Sequence, residues 1–459
     1  MTVRGFILHP TYRVESGRPV VHLFGRLETG ESFLVRDRSL TPHFFVRSGD
    51  AERARSLGAA HQHPTDLLTM IGGPVVRVEV QVPAETPPLR DALIGAGLPV
   101  YEADVRFAMR RLIDARIRGS LSIEGAATAP EEAGAARVFE DADLAPSDWE
   151  PSPGLFRIVS IDLETDPRGE RIYSAALSGG GADEVLLALP EPAVARSLEG
   201  TSWTDGRVVP CGDEKGLLTA LFSRLRELDF DILTGWNVID FDLDVLVAAA
   251  RRLGVPFEVG RLPGSVRVIR DRSFWGRSQA EISGRLVLDG IDLLKGAFVK
   301  LEDYRLDTAA RALLGEGKVA IDSDPPPGEA AGAPGVPSAA GSAKAEAIQR
   351  AFRENLPLFI RYNLADARLV LRILEKARLI DLAIRRSLLT GMPLDRVGAS
   401  IASFDFLYLG ELRRRKRVAP SVGAEGGQTE PTQGGAVLEP LPGSTRMSSP
   451  STSRASIRA

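Results

Sequence analysis

Between Leu155 and Leu389 short apolar runs alternate with longer amphipathic ones, and that alternation confines the segment to a sheet with helices packed on it. LFRIVSIDLET, IYSAALSGG, EVLLALP and DILTGWNV have the length and apolar content of strands. EKGLLTALFSRLRELD and FDLDVLVAAARRLG carry helical spacing. GRLVLDGIDLLKGAF runs from a strand into a helix, and residues 348–389 are helical in pattern throughout. No internal repeat appears. The expected class over 154–380 is α/β.

The flanks differ. Residues 1–122 are expected to form an α+β domain. VVHLFGRLETGESFLVRD places two apolar runs around a turn, the pattern of a hairpin, and Val76 to Val82 alternate as a half-buried strand does. TPPLRDALIGAG, with Pro near its start and Gly at its end, predicts a helix, and VRFAMRRLIDARIRG a second. Residues 123–153 are acidic and rich in Ala, Pro and Gly, which predicts a linker or a long surface excursion. SDPPPGEAAGAPGVPSAAGSAKAEA, residues 323–347, predicts a disordered loop.

Composition removes several chemistries. A net charge of −4 excludes a chain that coats nucleic acid by bulk charge, though not a local basic groove. No apolar run approaches the roughly 18 residues that span a bilayer, and the N-terminus lacks a signal-peptide pattern. One cysteine, Cys211, allows neither an internal disulfide nor a zinc-thiolate cluster, and the cytoplasm is the expected compartment. All five histidines fall within the first 63 residues, so a catalytic site in the later domain must use carboxylates, Tyr, Lys, Arg or Ser.

Three acidic motifs stand out. Asp162 and Glu164, at i and i+2 on a strand, share one face. On an otherwise apolar strand they cost desolvation unless a cation compensates; alone, a solvated strand end is the plainer reading. Asp242 in GWNVIDFDLDVL stands where an acid favours a helix N-terminus, with Asp240 as a cap and Asp244 as an exposed helix acid. Tyr362 and Asp366, at i and i+4, project from one helix face; in isolation they would be a surface pair.

Taken together, in this order and over about 200 residues of α/β sequence, the motifs resemble the proofreading 3′→5′ exonuclease domain of family B DNA polymerases. That domain is built on a ribonuclease-H-like mixed sheet. Asp162-x-Glu164 looks like its first motif, Asn237-x-x-x-Phe241-Asp242 its second and Tyr362-x-x-x-Asp366 its third. The resemblance extends to YEADVRFAMRRLID before the domain and to residues 388–420 after it, most of all in the bacterial polymerase II branch. Residues 381–443 would return to the N-terminal domain and lead towards a polymerase palm.

The resemblance implies phosphodiester hydrolysis at DNA 3′ ends by two divalent ions, Mg²⁺ or Mn²⁺, about 4 Å apart. Asp162, Glu164 and Asp366 would hold the ion that makes hydroxide. Asp162 would bridge to the second, with Asp242 in its outer sphere, and Tyr362 would orient the attacking water. The substrate would be a single-stranded 3′ end of a primer-template, and the chain a monomer. Asn237, Phe241 and Trp275 are candidate DNA contacts, with Phe274 a further aromatic. Residues 265–286 occupy the place of the family's strand-separating hairpin, whose Arg267, Arg270, Arg272 and Arg277 would meet phosphate. The run Arg413, Arg414, Arg415, Lys416, Arg417 is expected to be a solvated helix end rather than a DNA contact.

The family's palm motif, Asp-x-x-Ser-Leu-Tyr-Pro-Ser, is absent. STRMSSPSTSRASIRA, residues 444–459, has the composition of a disordered tail. Its degenerate codons, read one nucleotide earlier, permit Leu-Asp-Phe-Lys-Ser-Leu-Tyr-Pro-Ser. The tail is therefore expected to be an out-of-frame translation, and the chain an N-terminal portion with exonuclease but no polymerase site. A sliding clamp would then bind only through a C-terminal region beyond it. Two rival readings are a stand-alone exonuclease acting on DNA or RNA, and an inactive product that only binds DNA.

Overall fold

The computed structural model describes residues 2–128, 134–199, 203, 205–270, 278–319, 321 and 339–423, with side chains from 345 onward in the last of these. Residues 424–459, on which the expectation of an out-of-frame tail falls, lie outside the described residues, as do 322–338.

Two sheets form the N-terminal part. The strands Thr2–Glu15, Arg18–Leu27 and Ser32–Asp37 are the centre of a seven-stranded sheet. The expected linker at 123–153 is corrected here. Ser120–Glu124 pairs antiparallel with the first strand, Asp143–Pro146 with Ser120–Glu124, and Arg137–Glu140 lies parallel to Ser32–Asp37. These strands are four or five residues long. Their pairing satisfies the backbone while only a few side chains, such as Val138 and Phe139, enter the core, so an acidic, Pro-rich composition conceals them.

The second sheet is a βαββαβ unit. His43–Arg47, His61–Thr69, Pro74–Glu79 and Val100–Tyr101 are its strands, and Ala51–Ser56 and Thr86–Gly95 its helices. A fifth strand, Arg417–Val418, reaches it from the far end of the described chain and lies parallel to His61–Thr69. The basic run around it has partners within the molecule. Arg413 binds buried Glu102 at 2.9 Å, Arg414 and Arg415 bind Glu411, and Lys416 pairs with Asp66 at 2.7 Å.

The third sheet carries the acidic motifs. Its strands are β1 (Ile158–Thr165), β2 (Ile172–Gly179), β3 (Ala182–Leu187), β4 (Arg207–Pro210), β5 (Ile232–Gly235) and β6 (Leu286–Asp289), in the order β4-β3-β2-β1-β5-β6. β1–β2 and β2–β3 are antiparallel; β3–β4, β1–β5 and β5–β6 are parallel. The mixed, helix-flanked α/β sheet is the expected class. Helices α1 (Glu214–Glu227) and α2 (Asp244–Leu253) cover one face, where Leu221, Phe222 and Leu246 meet Val159, Ile161 and Leu177. Helix α3 (Leu356–Lys376) crosses the other, packing Val370 and Ile373 with Ile232 and Leu288.

The predicted loop 323–347 needs a partial correction. Ala339–Glu354 is a helix, and its Ala347, Ile348 and Ala351 are buried with Tyr173 and Phe359. Alanine favours helix, and tertiary burial overrides the loop-like Gly and Ser in this stretch.

Candidate active site

Strand alternation aims the first pair of acids. Val159, Ile161 and Leu163 enter the core beneath α1 and α2. Their neighbours Ser160, Asp162 and Glu164 therefore point to the opposite face, towards α3. Ser160 is small and wholly buried, which lets that helix lie close.

Helix α3 brings Tyr362 and Asp366, one turn apart and both buried, over that face. Carboxylate oxygens of Asp162, Glu164 and Asp366 lie within 4.8 Å of one another. Asp162 is half-buried; the other two are buried.

Asp242 arrives from a third direction. After β5, Asn237 takes a left-handed conformation, φ 62°. The chain then makes a wide turn, Ile239–Leu243, in which the Leu243 N–H donates to Val238 O at 2.9 Å. This extra-residue turn, a feature that recurs at functional sites, points Asp242 inward while Phe241 stays 40 % exposed. Gly235 permits the approach, because a Cβ there would stand 2.7 Å from the Ile161 carbonyl. Asp242 therefore lies within the turn before α2 and faces the other acids, rather than serving only as an acid at a helix N-terminus. It is buried and accepts the Leu163 N–H at 2.9 Å. Burial, then the charge of Asp162, pushes its carboxyl well above the ordinary range. The expected cap Asp240 forms no cap and is exposed, since the turn tightens through backbone bonds instead. Asp244 opens α2 and pairs with Arg270 at 2.5 Å.

Three residues of the site escaped the sequence reading. Asn363, wholly buried, donates to Asp162 Oδ2 at 2.7 Å and to the Asp162 carbonyl at 3.0 Å, and accepts from Ser174 Oγ at 2.7 Å. It lies inside the Tyr-x-x-x-Asp motif, and a polar side chain on the apolar stripe of α3 was its available signal. Lys318 pairs with Asp366 and sits over the Tyr362 ring, 4.9 Å from its centroid. Burial works to lower its pKa, but the charges of Asp366, Asp162 and Glu164 outweigh that and raise it. Its remote position in GEGKVAID carries no signal. Asp289, at the end of β6, caps the next helix through the Ile291 N–H at 2.8 Å. Burial, then Asp292, raises it to about 6.

Of the expected DNA contacts, Phe241 lines the same groove as Glu164, and Asn237 is exposed at the turn. Arg267 and Arg270 stand on and beside the ribbon of Arg267–Ile269 and Gln279–Glu281, exposed and paired with Glu281 and Asp244. Residues 271–277, including Arg272, Phe274, Trp275 and Arg277, lie outside the described residues.

Residues 98–309 match the DNA polymerase family B, exonuclease domain. The chain carries the exonuclease domain of the family B DNA polymerases. It is 34% identical over 351 residues to Escherichia coli DNA polymerase II, spanning 76% of this chain and 40% of that protein. It is 28% identical to the bovine DNA polymerase delta catalytic subunit over 81% of this chain and 35% of that protein. The solved family B DNA polymerase of the archaeon Pyrobaculum calidifontis superposes with a TM-score of 0.70 at 26% identity, covering 96% of this chain and 54% of that chain. The chain thus spans about half or less of these relatives' lengths. Membership in this group supports a nuclease or hydrolase role for the domain. No helix among the described residues is long and apolar enough to cross a membrane.

The site suits hard divalent ions. Three carboxylates face one another, a fourth is buried beside them, and Lys318 is the compensating cation that the described contacts provide. All-oxygen donors suit hard divalent cations.

Proposed function

We propose that this domain hydrolyses the terminal phosphodiester of a single-stranded DNA 3′ end, releasing nucleotides stepwise. The juxtaposition of Asp162, Glu164 and Asp366 in a family B exonuclease domain carries the reading. Asp162, Glu164 and Asp366 would hold Mg²⁺ or Mn²⁺, and Asp242, buried beside them, would help to hold a second ion. Bound ions would supply a hydroxide and neutralise charge on the phosphorus centre.

The chain's own residues orient the reaction. Tyr362 directs its hydroxyl at the attacking water. Asn363 holds the Asp162 carboxylate in one rotamer by donating to its Oδ2 at 2.7 Å. Lys318 neutralises Asp366 before ions arrive and then offers an ammonium to the phosphate. Phe241 stacks on a terminal base at the groove edge.

The parent activity, in a chain as long as its relatives, would be templated DNA synthesis with this domain as editor. We propose that the chain acts in the cytoplasm as a monomer.

The test is digestion of 5′-labelled single-stranded DNA with Mg²⁺ or Mn²⁺, beside the double variant Asp162→Ala, Glu164→Ala. The expected result is a ladder shortened from the 3′ end that the variant abolishes. Internal cuts, loss from the 5′ end, or activity surviving in the variant would defeat the assignment. Faster loss of ribose ends would favour the RNA-acting rival.

A further inference from the structure

A groove of about 620 Å³ runs from Glu164 between the turn that follows β1 and the wide turn that precedes α2. Its lining is acidic. Glu164, Asp166, Asp240 and Asp244 all face it, and Phe241 borders it. A polyanion entering such a groove meets repulsion unless fixed positive charge lies along its path. Ions held by Asp162, Glu164 and Asp366 would answer this only at the reacting end.

Among the described lining residues one is cationic, Arg168. Neighbouring arginines are committed elsewhere. Arg270 pairs with Asp244 at 2.5 Å, and Arg252 binds Glu214 at 2.7 Å and the Glu170 carbonyl at 2.7 Å. Arg168 is exposed and forms no hydrogen bond or ion pair with any described residue.

Its backbone, by contrast, is fixed. Asp166 Oδ1 accepts the N–H groups of Glu170 at 2.6 Å and Arg171 at 3.0 Å, and the Gly169 N–H donates to the Asp166 carbonyl at 3.0 Å. Gly169, at φ 69°, takes the left-handed conformation that closes this turn. A turn closed by these hydrogen bonds thus presents an exposed, uncommitted guanidinium at the groove, four residues beyond a proposed metal ligand. Guanidinium groups suit phosphate because they donate two parallel hydrogen bonds.

We propose that Arg168 is a positioning residue that binds a phosphodiester upstream of the scissile one and so holds the strand whose 3′ end reaches the carboxylates. The proposal rests on the reading of the site as a 3′-end nuclease. Arg168 takes no part in bond cleavage; it fixes the register of the strand.

Two substrates separate this role from a general one. A 5′-labelled oligothymidylate has upstream phosphates. The p-nitrophenyl ester of thymidine 5′-monophosphate has the reacting phosphodiester and nothing upstream. Arg168→Ala should lower kcat/KM on the oligonucleotide about tenfold, mainly through KM, as expected for one charged hydrogen-bonded contact. The loss should exceed that on the ester at least fivefold, and Arg168→Lys should recover part of it. A neutral methylphosphonate at the first upstream linkage should slow the wild type and leave Arg168→Ala little further affected. Equal losses on both substrates, no loss on the oligonucleotide, or the same methylphosphonate penalty in both proteins would each overturn the proposal.

If the wild type hydrolyses neither substrate, the nuclease reading itself fails. The Arg168 contact is then read from binding of a fluorescent oligothymidylate with Ca²⁺. Loss of one phosphate contact on a single strand should flatten the log Kd against log salt slope by about 0.7. Unchanged slopes would sink the contact as well.

Discussion

Asn363 offers the sharpest perturbation of the site. Its side chain makes three hydrogen bonds, two to Asp162 and one from Ser174, and no part of it is exposed. Asn363→Ala removes one bond to a charged acceptor, worth about 2 kcal/mol, and two neutral ones of about 1 kcal/mol each. It also leaves the buried Ser174 hydroxyl without that acceptor. A loss of about 3–4 kcal/mol in unfolding free energy is expected by urea denaturation. Activity should fall further than stability explains, because Asp162 can then leave the rotamer that faces Glu164 and Asp366. Loss of such an orienting contact commonly costs 10–100-fold in metal affinity or rate. The assay is exonuclease rate against Mn²⁺ concentration, with a raised half-saturation point as the signature.

Asn363→Asp keeps the shape and guards against a merely unfolded variant. It places a second carboxylate 2.7 Å from Asp162 Oδ2. At an effective dielectric of about 20, two charges so spaced repel by about 6 kcal/mol, so the pair must share a proton. Its Mn²⁺ requirement and pH profile should both shift. If both variants titrate Mn²⁺ like the wild type, the orienting role of Asn363 is refuted.

The other predictions concern separate parts of the molecule. Asp289 is raised to about 6 from 3.8 by burial, so its contribution to stability is full below pH 3.8 and lost as pH climbs through about 6. Asp289→Asn, which keeps the cap to Ile291, should stabilise the metal-free protein at pH 7.5 by about 2–3 kcal/mol and change little at pH 4, as read by denaturant melts. Phe241→Ala should cut kcat/KM on single-stranded DNA by about tenfold through lost stacking while leaving the melting temperature within a degree or two, since the ring is 40 % exposed. Glu102 lies between buried Arg110 at 2.6 Å and Arg413 at 2.9 Å. Glu102→Ala takes the carboxylate away from buried Arg110, although Arg413 keeps Asp114, and should cost about 3–5 kcal/mol; a melt unchanged from wild type would show the network to be idle.

Much of this architecture was legible because it is local. The strands of VSIDLET and DILTGWNV, the helices of EKGLLTALFSRLRELD and FDLDVLVAAARRLG, and the shared faces of Asp162 with Glu164 and Tyr362 with Asp366 follow from periods of 2.0 and 3.6. The family likeness of the ordered motifs was readable for the same reason. Short strands in 123–153 were not, since their stability comes from partners such as Leu34 and Val3 distant in the chain.

Within the site the same division holds. Sequence by itself determined the acids, their order and the faces of the strand and helix that bear them. Tertiary structure alone decided which acid is buried, since Asp242 owes its inward course to a wide turn and to the Leu163 N–H. It alone recruited Lys318, from a loop whose sequence carries no period, and Asp289, from the end of β6. Spacing along the chain determines a direction, but charge, burial and proton affinity depend on neighbours that only the packed sheet and helix α3 bring within a few ångströms.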